Sequence, residues 1–131
     1  MKPRILVVED NPANSELLCA WLETEGYDVA TAADLQAAFA SIQETPVDAV
    51  LLDIQLGCED GAPLAAWVRQ QEHCKHIPVI AVTAHAMMAE RQRVLQAGCN
   101  ACVLKPIDFR DLRQQLITWL AISASSSRFV S

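Results

Sequence analysis

The chain has 131 residues, of which 52% are hydrophobic, so it is long enough to form one domain with a buried core. Its formal net charge of −6 argues against a nucleic-acid-binding surface, which normally carries a basic stripe. Because no apolar run approaches the roughly 20 residues of a membrane span or forms a secretory leader, we expect a soluble cytoplasmic protein with no membrane or nucleic-acid partner.

The first strand and helix are predicted from residues 5–26. Residues 5–8 form a short β-branched apolar run, typical of a buried strand, and it ends at Glu9 and Asp10. Asn11 followed by Pro12 is a favourable start for a helix. Gly26 is the predicted end of that helix.

The next segment contains the central strand. Residues 27–31 predict a short strand, and apolar residues at helical spacing over 35–42 predict a helix that ends before Pro46. Residues 49–52 are four consecutive apolar residues, as expected for a parallel strand buried on both faces. This strand ends at Asp53.

The second half repeats the alternation. A loop is predicted over residues 55–61, and the predicted helices are 63–72, 86–97 and the segment that Asp108 caps. The remaining strands are 78–82 and 101–104. They end at Thr83 and at Lys105-Pro106.

Five strands alternate with five helices, which predicts an α/β domain with a doubly wound, mainly parallel sheet. We assign residues 1–121 to this domain. The serine-rich residues 122–131 are expected to form a frayed C-terminal tail.

Polar side chains follow four of the predicted strands. They are Glu9 and Asp10, Asp53, Thr83, and Lys105. Because the carboxyl ends of parallel strands meet at one edge of a sheet, where α/β proteins bind ligands, we expect these groups to converge.

The residue types indicate phosphoryl transfer to an aspartate. Three crowded carboxylates repel one another, and a hard divalent cation such as Mg²⁺ would neutralise them through oxygen ligands. Asp53 could then attack a phosphoryl group as a nucleophile. Lys105 would supply a cation and Thr83 a hydroxyl donor.

Two other chemistries fit this edge less well. A flavodoxin-like FMN site needs a hydroxyl- and glycine-rich phosphate cradle after the first strand, where this chain has acids. A phosphatase of the haloacid dehalogenase type needs a second acid two residues after its nucleophile, and that residue is Gln55.

The sequence resembles the receiver domains of two-component response regulators, and the likeness covers residues 4 to about 120. The matching segments are residues 5–11, 51–53, 60–61, 78–84 and 105–106. The resemblance implies a flavodoxin-like strand order, 2-1-3-4-5. Residues 83–91 are similar to receivers of hybrid sensor kinases and of single-domain regulators.

The same resemblance implies roles for the site residues. Asp53 looks like the phosphoacceptor, Thr83 like the switch hydroxyl and Lys105 like the lysine that pairs with the phosphoryl group. Glu9 and Asp10 look like the acids that hold Mg²⁺ together with Asp53. The backbone carbonyl of Gln55 looks like a further metal ligand, and a cis peptide is implied at Lys105-Pro106.

Four positions depart from the family pattern or vary within it. Gly57 replaces a proline that usually follows the phosphoacceptor, so that loop is expected to be looser. Cys102 replaces an aromatic switch residue and is expected to be a compact buried hydrophobe without a moving ring. Gln55 and His85 occupy the two variable positions that flank the phosphoryl group in the family.

We therefore expect a single-domain receiver that takes a phosphoryl group from a histidine kinase or histidine phosphotransfer protein. It would then change its contacts with a downstream protein. The chain would not be an enzyme in the usual sense, although it would carry out Mg²⁺-dependent self-phosphorylation and autodephosphorylation. Two alternatives are a receiver-like docking module that is never phosphorylated and a receiver segment of a hybrid kinase.

The cysteines do not predict a separate activity. Five cysteines without a signal peptide indicate reduced thiols. The C-x-x-C pair Cys99 and Cys102 follows a helix-ending glycine instead of opening a helix, which disfavours thioredoxin-type redox chemistry. His73, Cys74 and His76 have no second ligand pair at zinc-finger spacing.

Overall fold

The structure is a computed structural model that describes residues 2–85 and 87–130. Within these residues the strands are β1 (Arg4–Val8), β2 (Asp28–Ala32), β3 (Ala49–Asp53), β4 (Gln55–Leu56), β5 (Glu59–Asp60), β6 (Val79–Thr83) and β7 (Ala101–Leu104). The helices are α1 (Pro12–Thr24), α2 (Leu35–Glu44), α3 (Ala62–Gln70), α4 (Met88–Ala97) and α5 (Phe109–Val130).

Five of the strands form one parallel sheet in the order β2-β1-β3-β6-β7. With the two-residue strands β4 and β5 set aside, this is the order 2-1-3-4-5, so the predicted fold class is confirmed. β3 lies at the centre of the sheet, and all five of its residues are buried.

The three inner strands β1, β3 and β6 are buried on both faces, because successive side chains point to opposite sides and each side is covered. One face of the sheet packs on α1 and α5, and its core residues are Ile5, Val7, Leu18, Leu22, Ala49, Leu51, Ile80, Val103, Leu112 and Leu116. The other face packs on α2, α3 and α4 through residues that include Leu6, Val8, Ile42, Leu52, Leu64, Val68 and Val94. Helices therefore cover both faces, as a doubly wound sheet requires.

Polar side chains cap the first turns of α1 and α2. Asn11 accepts a hydrogen bond from the backbone N–H of Asn14 at 3.1 Å, and Pro12 is the first residue of α1, as predicted. Asp34 caps α2 in the same way through the N–H of Ala37 at 2.8 Å. Since α1 begins at Pro12, only three residues separate it from β1, and two of these are Glu9 and Asp10.

The predicted loop at 55–61 was wrong in one respect. Residues 55–60 form a small antiparallel hairpin in which Gln55 pairs with Asp60. Gly57 is the first residue of its two-residue turn and has φ of +59°, the conformation that this position of a tight hairpin turn favours. A proline, with φ near −65°, could not adopt it, so Gly57 replaces the family proline with a different local structure.

Some predicted boundaries also differ. β2 runs one residue later than predicted, α3 begins at Ala62, and α4 begins at Met88. The predicted α4 start at Ala86 lies outside the described residues. Helix α5 continues to Val130, whereas a frayed tail was expected from residue 122. Ser123 ties this extension down, because its Oγ donates to the carbonyl oxygen of His76 at 3.2 Å.

Among the described residues, no helix combines the length and the apolar character needed to cross a bilayer.

Two neighbouring residues of α5 test how the core is distributed. Leu116 is fully buried, whereas Ile117 is 53% exposed. We predict that Leu116→Ala lowers the free energy of unfolding by about 2–5 kcal/mol, because it leaves a cavity, and that Ile117→Ala changes it by no more than about 0.5 kcal/mol. Urea denaturation of both variants measures the difference. Equal losses would show that α5 does not pack through this stripe.

Candidate functional site

The polar groups that end the strands meet at one edge of the sheet. The strand register aligns Asp53 with Val82 and Thr83 with Leu104, the residue before Lys105. Glu9 follows β1 directly and donates its backbone N–H to the carbonyl oxygen of Ala32 at 3.0 Å. Parallel pairing therefore brings the predicted residues together.

Asp53 is the buried centre of this edge. Its carboxylate is 4% exposed, and each oxygen has its own partner. The Lys105 Nζ lies 2.8 Å from Oδ2, and the backbone N–H of Gln55 donates to Oδ1 at 2.9 Å. The orientation of the carboxylate is thus fixed from both sides.

Lys105 balances only part of the negative charge. Its Nζ also lies 3.9 Å from Glu9 Oε1. Glu9, Asp10 and Asp53 each offer one oxygen atom, and these three atoms lie within 4.8 Å of one another. With one ammonium among three carboxyl groups, the site retains an excess of acid.

The pKa of Glu9 reflects its buried position among these acids. Burial raises its pKa to about 7, and the neighbouring Asp53 adds to the rise, while Asn14 and Lys105 offset part of it. Glu9 Oε2 is buried and has no hydrogen-bond partner among the described residues. An orphaned buried oxygen beside two further carboxylates fits a hard divalent cation, which prefers oxygen ligands.

Thr83 connects the site to the segment after β6. Its side chain is fully buried, and its Oγ1 accepts a hydrogen bond from the backbone N–H of His85 at 3.1 Å. The carbonyl oxygen of Thr83 accepts from the backbone N–H of Lys105 at 2.8 Å. Thr83 therefore links the segment that contains His85 to Lys105 through two hydrogen bonds. The peptide bond between Lys105 and Pro106 is cis, as the resemblance implied.

The two variable positions contact each other. The side-chain nitrogens of Gln55 and His85 form a hydrogen bond, which joins the first residue of the hairpin to the segment after β6. The Gln55 amide nitrogen donates, and His85 accepts through Nε2. The role of the Gln55 carbonyl as a metal ligand stays a prediction.

Gly61 is a functional position that sequence reasoning quoted without a role. Its φ of −75° is ordinary, so conformation does not require glycine. Space does, because a Cβ here would overlap the carbonyl oxygen of Asp53 and lie 3.2 Å from the Cα of Ile54. Gly61 also donates its N–H to the Ile54 carbonyl oxygen at 2.7 Å. The hairpin can therefore fold back closely against β3, the strand that ends at Asp53.

Arg93 is a further residue near the site to which the sequence patterns gave no role. It pairs with Asp60 at 2.7 Å and with Glu90 at 2.7 Å, and so links α4 to the residue before Gly61. Asp60 lies 33 positions away in the chain. No local pattern could have indicated this pair.

The cysteines are free thiols in the described structure. Burial raises the pKa of Cys99 to about 12, which is opposite to what a reactive thiol needs. Cys102 is half-buried and packs against the core on the α2–α4 face. It was expected to be buried and is only partly so, and its lack of movement stays a prediction.

A cavity of about 260 Å³ adjoins the acidic edge. Glu9, Asp53 and Lys105 contribute its polar lining. Leu17 and Phe109 contribute apolar lining, and Leu17 is 59% exposed. The cavity therefore combines the buried carboxylate of Asp53 with an exposed apolar residue.

Residues 5–117 match the model of the response regulator receiver domain family. The chain belongs to this family.

Two relatives show how it compares. It is 38% identical over 124 residues to the sensor histidine kinase GacS of Pseudomonas protegens, a match covering 92% of this chain but 14% of that protein. It is 39% identical to the polar-differentiation response regulator DivK of Brucella ovis, over 82% of this chain and 87% of DivK.

A solved structure is also similar. It is the receiver domain of a sensor histidine kinase from Pseudomonas aeruginosa, with a magnesium ion coordinated in its active site cleft. The TM-score is 0.83 and the identity is 36%, over 92% of this chain and 99% of that one. The recognition from sequence motifs is confirmed.

The buried Glu9 predicts a pH dependence of stability. Its pKa is about 7 in the folded chain against an ordinary 4.5, so the folded state holds the proton more tightly. Stability from this group is complete below pH 4.5 and is lost as the pH rises through 7. Without divalent cations, we predict that wild type loses stability relative to Glu9→Gln over that window. Urea denaturation at pH 5, 6, 7 and 8 measures it, and parallel pH profiles would contradict it.

Proposed function

We propose that this receiver domain accepts a phosphoryl group on Asp53 from a phosphohistidine of a partner protein and thereby changes its contacts with a downstream protein. The observation that carries the proposal is the placement of a buried carboxylate 2.8 Å from the Lys105 ammonium in an excess of acids. Family membership and the likeness to DivK and to GacS support a role in a phosphorelay.

The transfer step is a substitution at phosphorus. An oxygen of Asp53 forms the new P–O bond as the P–N bond to the donor imidazole breaks. The imidazole keeps that electron pair and takes up a proton. Lys105 stabilises the charge on the phosphoryl oxygens, since its ammonium already lies beside the attacking carboxylate.

We propose Mg²⁺ as the cofactor, held by Glu9, Asp10, Asp53 and the backbone carbonyl of Gln55. When bound, it would neutralise the clustered carboxylates so that an anionic phosphoryl group can approach. The orphaned Glu9 Oε2 and the magnesium of the Pseudomonas aeruginosa receiver support this assignment.

Thr83 is the proposed switch. Its hydroxyl now accepts from the N–H of His85, and turning toward a phosphoryl group on Asp53 would remove that contact. The segment after β6 would then move, while Lys105 follows the phosphoryl group. Partners that bind this region would distinguish the two states.

The proposed partners are a histidine kinase or histidine phosphotransfer protein as donor and a protein as downstream target, in the cytoplasm. The chain acts on its own Asp53, through self-phosphorylation and autodephosphorylation, and so is not proposed as an enzyme with a separate substrate. The match to GacS keeps a receiver segment of a hybrid kinase as a second possibility.

We predict that Asp53 alone is labelled. Incubation with acetyl phosphate and Mg²⁺ should add one hydroxylamine-labile phosphoryl group by intact mass. Asp53→Asn should abolish it, since the amide is not a nucleophile, whereas Asp48→Asn should not. Asp48 is a matched control because it precedes the same strand and its side chain, among the described residues, accepts only from the Arg4 N–H. Labelling in Asp53→Asn would overturn the assignment, and none in wild type would favour a docking module.

We also predict a role for the exposed Leu17 in donor docking. Leu17→Ser should slow transfer from a phosphorylated protein donor by about tenfold or more, the effect of losing one apolar anchor. Labelling by acetyl phosphate should be unchanged. Leu95→Ser on α4, where Leu95 is 42% exposed, is the control. An equal effect on both donors would place Leu17 in the chemistry or the fold instead.

A further inference from the structure

A second cavity, of about 180 Å³, lies at the edge of the sheet opposite to Asp53. Its lining includes Pro78 and Asn100, which precede β6 and β7, whereas the phosphorylation site follows the carboxyl ends of the strands. The proposed function uses no residue of this cavity.

The lining is basic although the chain is acidic overall. Arg69, Lys75 and His76 line the cavity, and none of its described lining residues is a carboxylate, although the Lys75 ammonium already pairs with Glu72 at 3.1 Å. The chain as a whole has a net charge of −6. A pocket of opposite charge to its protein selects for an anionic occupant.

Arg69 is the centre of this charge. Four of its five N–H groups donate to neutral oxygens, namely the carbonyls of Gly98, Lys75 and Ile77 and the side chain of Asn100. The fifth, on Nη2, has no partner among the described residues. None of those residues brings a carboxylate within 4.0 Å of the guanidinium either, so a half-buried cation lacks a counter-ion.

The apolar wall comes from the extension of α5. Trp119, Ile122 and Ser123 line the cavity and follow residue 117, where the family match ends. The bond from Ser123 to the His76 carbonyl oxygen closes this side. The Trp119 Nε1 donates to Gln115 at 3.1 Å, which fixes the indole and leaves its ring as apolar lining. The cavity therefore depends on a part of the chain outside the matched receiver region.

We propose that this cavity binds a small organic anion, a carboxylate or phosphate monoester on a planar apolar body. The anionic group would take the remaining Arg69 N–H, while the body packs against Trp119 and Ile122. The volume suits a single-ring molecule, because drug-sized ligands occupy roughly 300 Å³ or more. Guanidinium groups bind carboxylates and phosphates alike, so the chemistry is shared by both classes.

Amide and indole NMR spectra of the full chain test this site. The probes are benzoate, phenyl phosphate and the neutral analogue benzyl alcohol, each titrated without Mg²⁺. We expect saturable shifts at the Trp119 indole and the Asn100 amide with at least one anion, and weaker or no saturation with benzyl alcohol. Saturation by benzoate alone or by phenyl phosphate alone supports the site and names the class.

Two matched variants test whether the anionic group binds in this cavity. Ile122→Glu puts a carboxylate at the rim and should weaken the anion by about fivefold or more, as expected for like charges close together. Ile117→Glu, on the same helix but outside the lining, should change affinity by less than about twofold, since exposed charges a Debye length away are screened. The proposal fails if both variants weaken binding equally, if neither does, if benzyl alcohol binds as well as the anions, or if shifts cluster at Lys105 instead of Trp119. Absence of saturable shifts also overturns it.

Discussion

The ion pair between Lys105 and Asp53, at 2.8 Å in a largely buried pocket, is the interaction on which the rest of the site depends. Parallel pairing of β1, β3, β6 and β7 obliges their carboxyl ends to share one edge, so the acids after β1 and β3 cannot separate. One ammonium does not neutralise three carboxyl groups, and burial together with the neighbouring Asp53 raises the pKa of Glu9 to about 7. Binding of a cation therefore lowers the electrostatic repulsion in this site, and so does a change that spreads its negative charge.

The surrounding chain holds this charge in place through close backbone contacts. Gly61 lets the hairpin fold against the Asp53 carbonyl, and the pair between Arg93 and Asp60 ties that hairpin to α4. On the other side, the N–H of Lys105 donates to the carbonyl oxygen of Thr83 and the N–H of His85 donates to its hydroxyl, which joins Lys105 to the segment that precedes α4. α4 is therefore connected to Asp53 along two routes. A change of charge at Asp53 can therefore affect α4 through these contacts.

The sequence predicted what depends on local pattern. Apolar runs ending in Asp53 or Thr83 identify parallel strands and their polar ends, and the convergence of those ends follows from topology. The Gly57 turn was mistaken for a loop because two-residue strands carry no periodicity. The Arg93–Asp60 pair and the anchoring of α5 by Ser123 join residues 33 and 47 positions apart, which local patterns do not specify. The basic cavity depends on the same long-range packing.

The central claim is that Lys105 couples a phosphoryl group on Asp53 to the end of the sheet and to α4. Two-dimensional amide spectra with Mg²⁺, before and after beryllofluoride as a phosphoryl mimic, test it most directly. For wild type and for Lys75→Ala, whose ammonium pairs only with Glu72 at the surface among the described residues, we predict shifts across residues 83–85, 87–92 and 101–105. For Lys105→Ala, shifts should be confined to the neighbours of Asp53. A wild-type pattern of shifts in Lys105→Ala would contradict the claim.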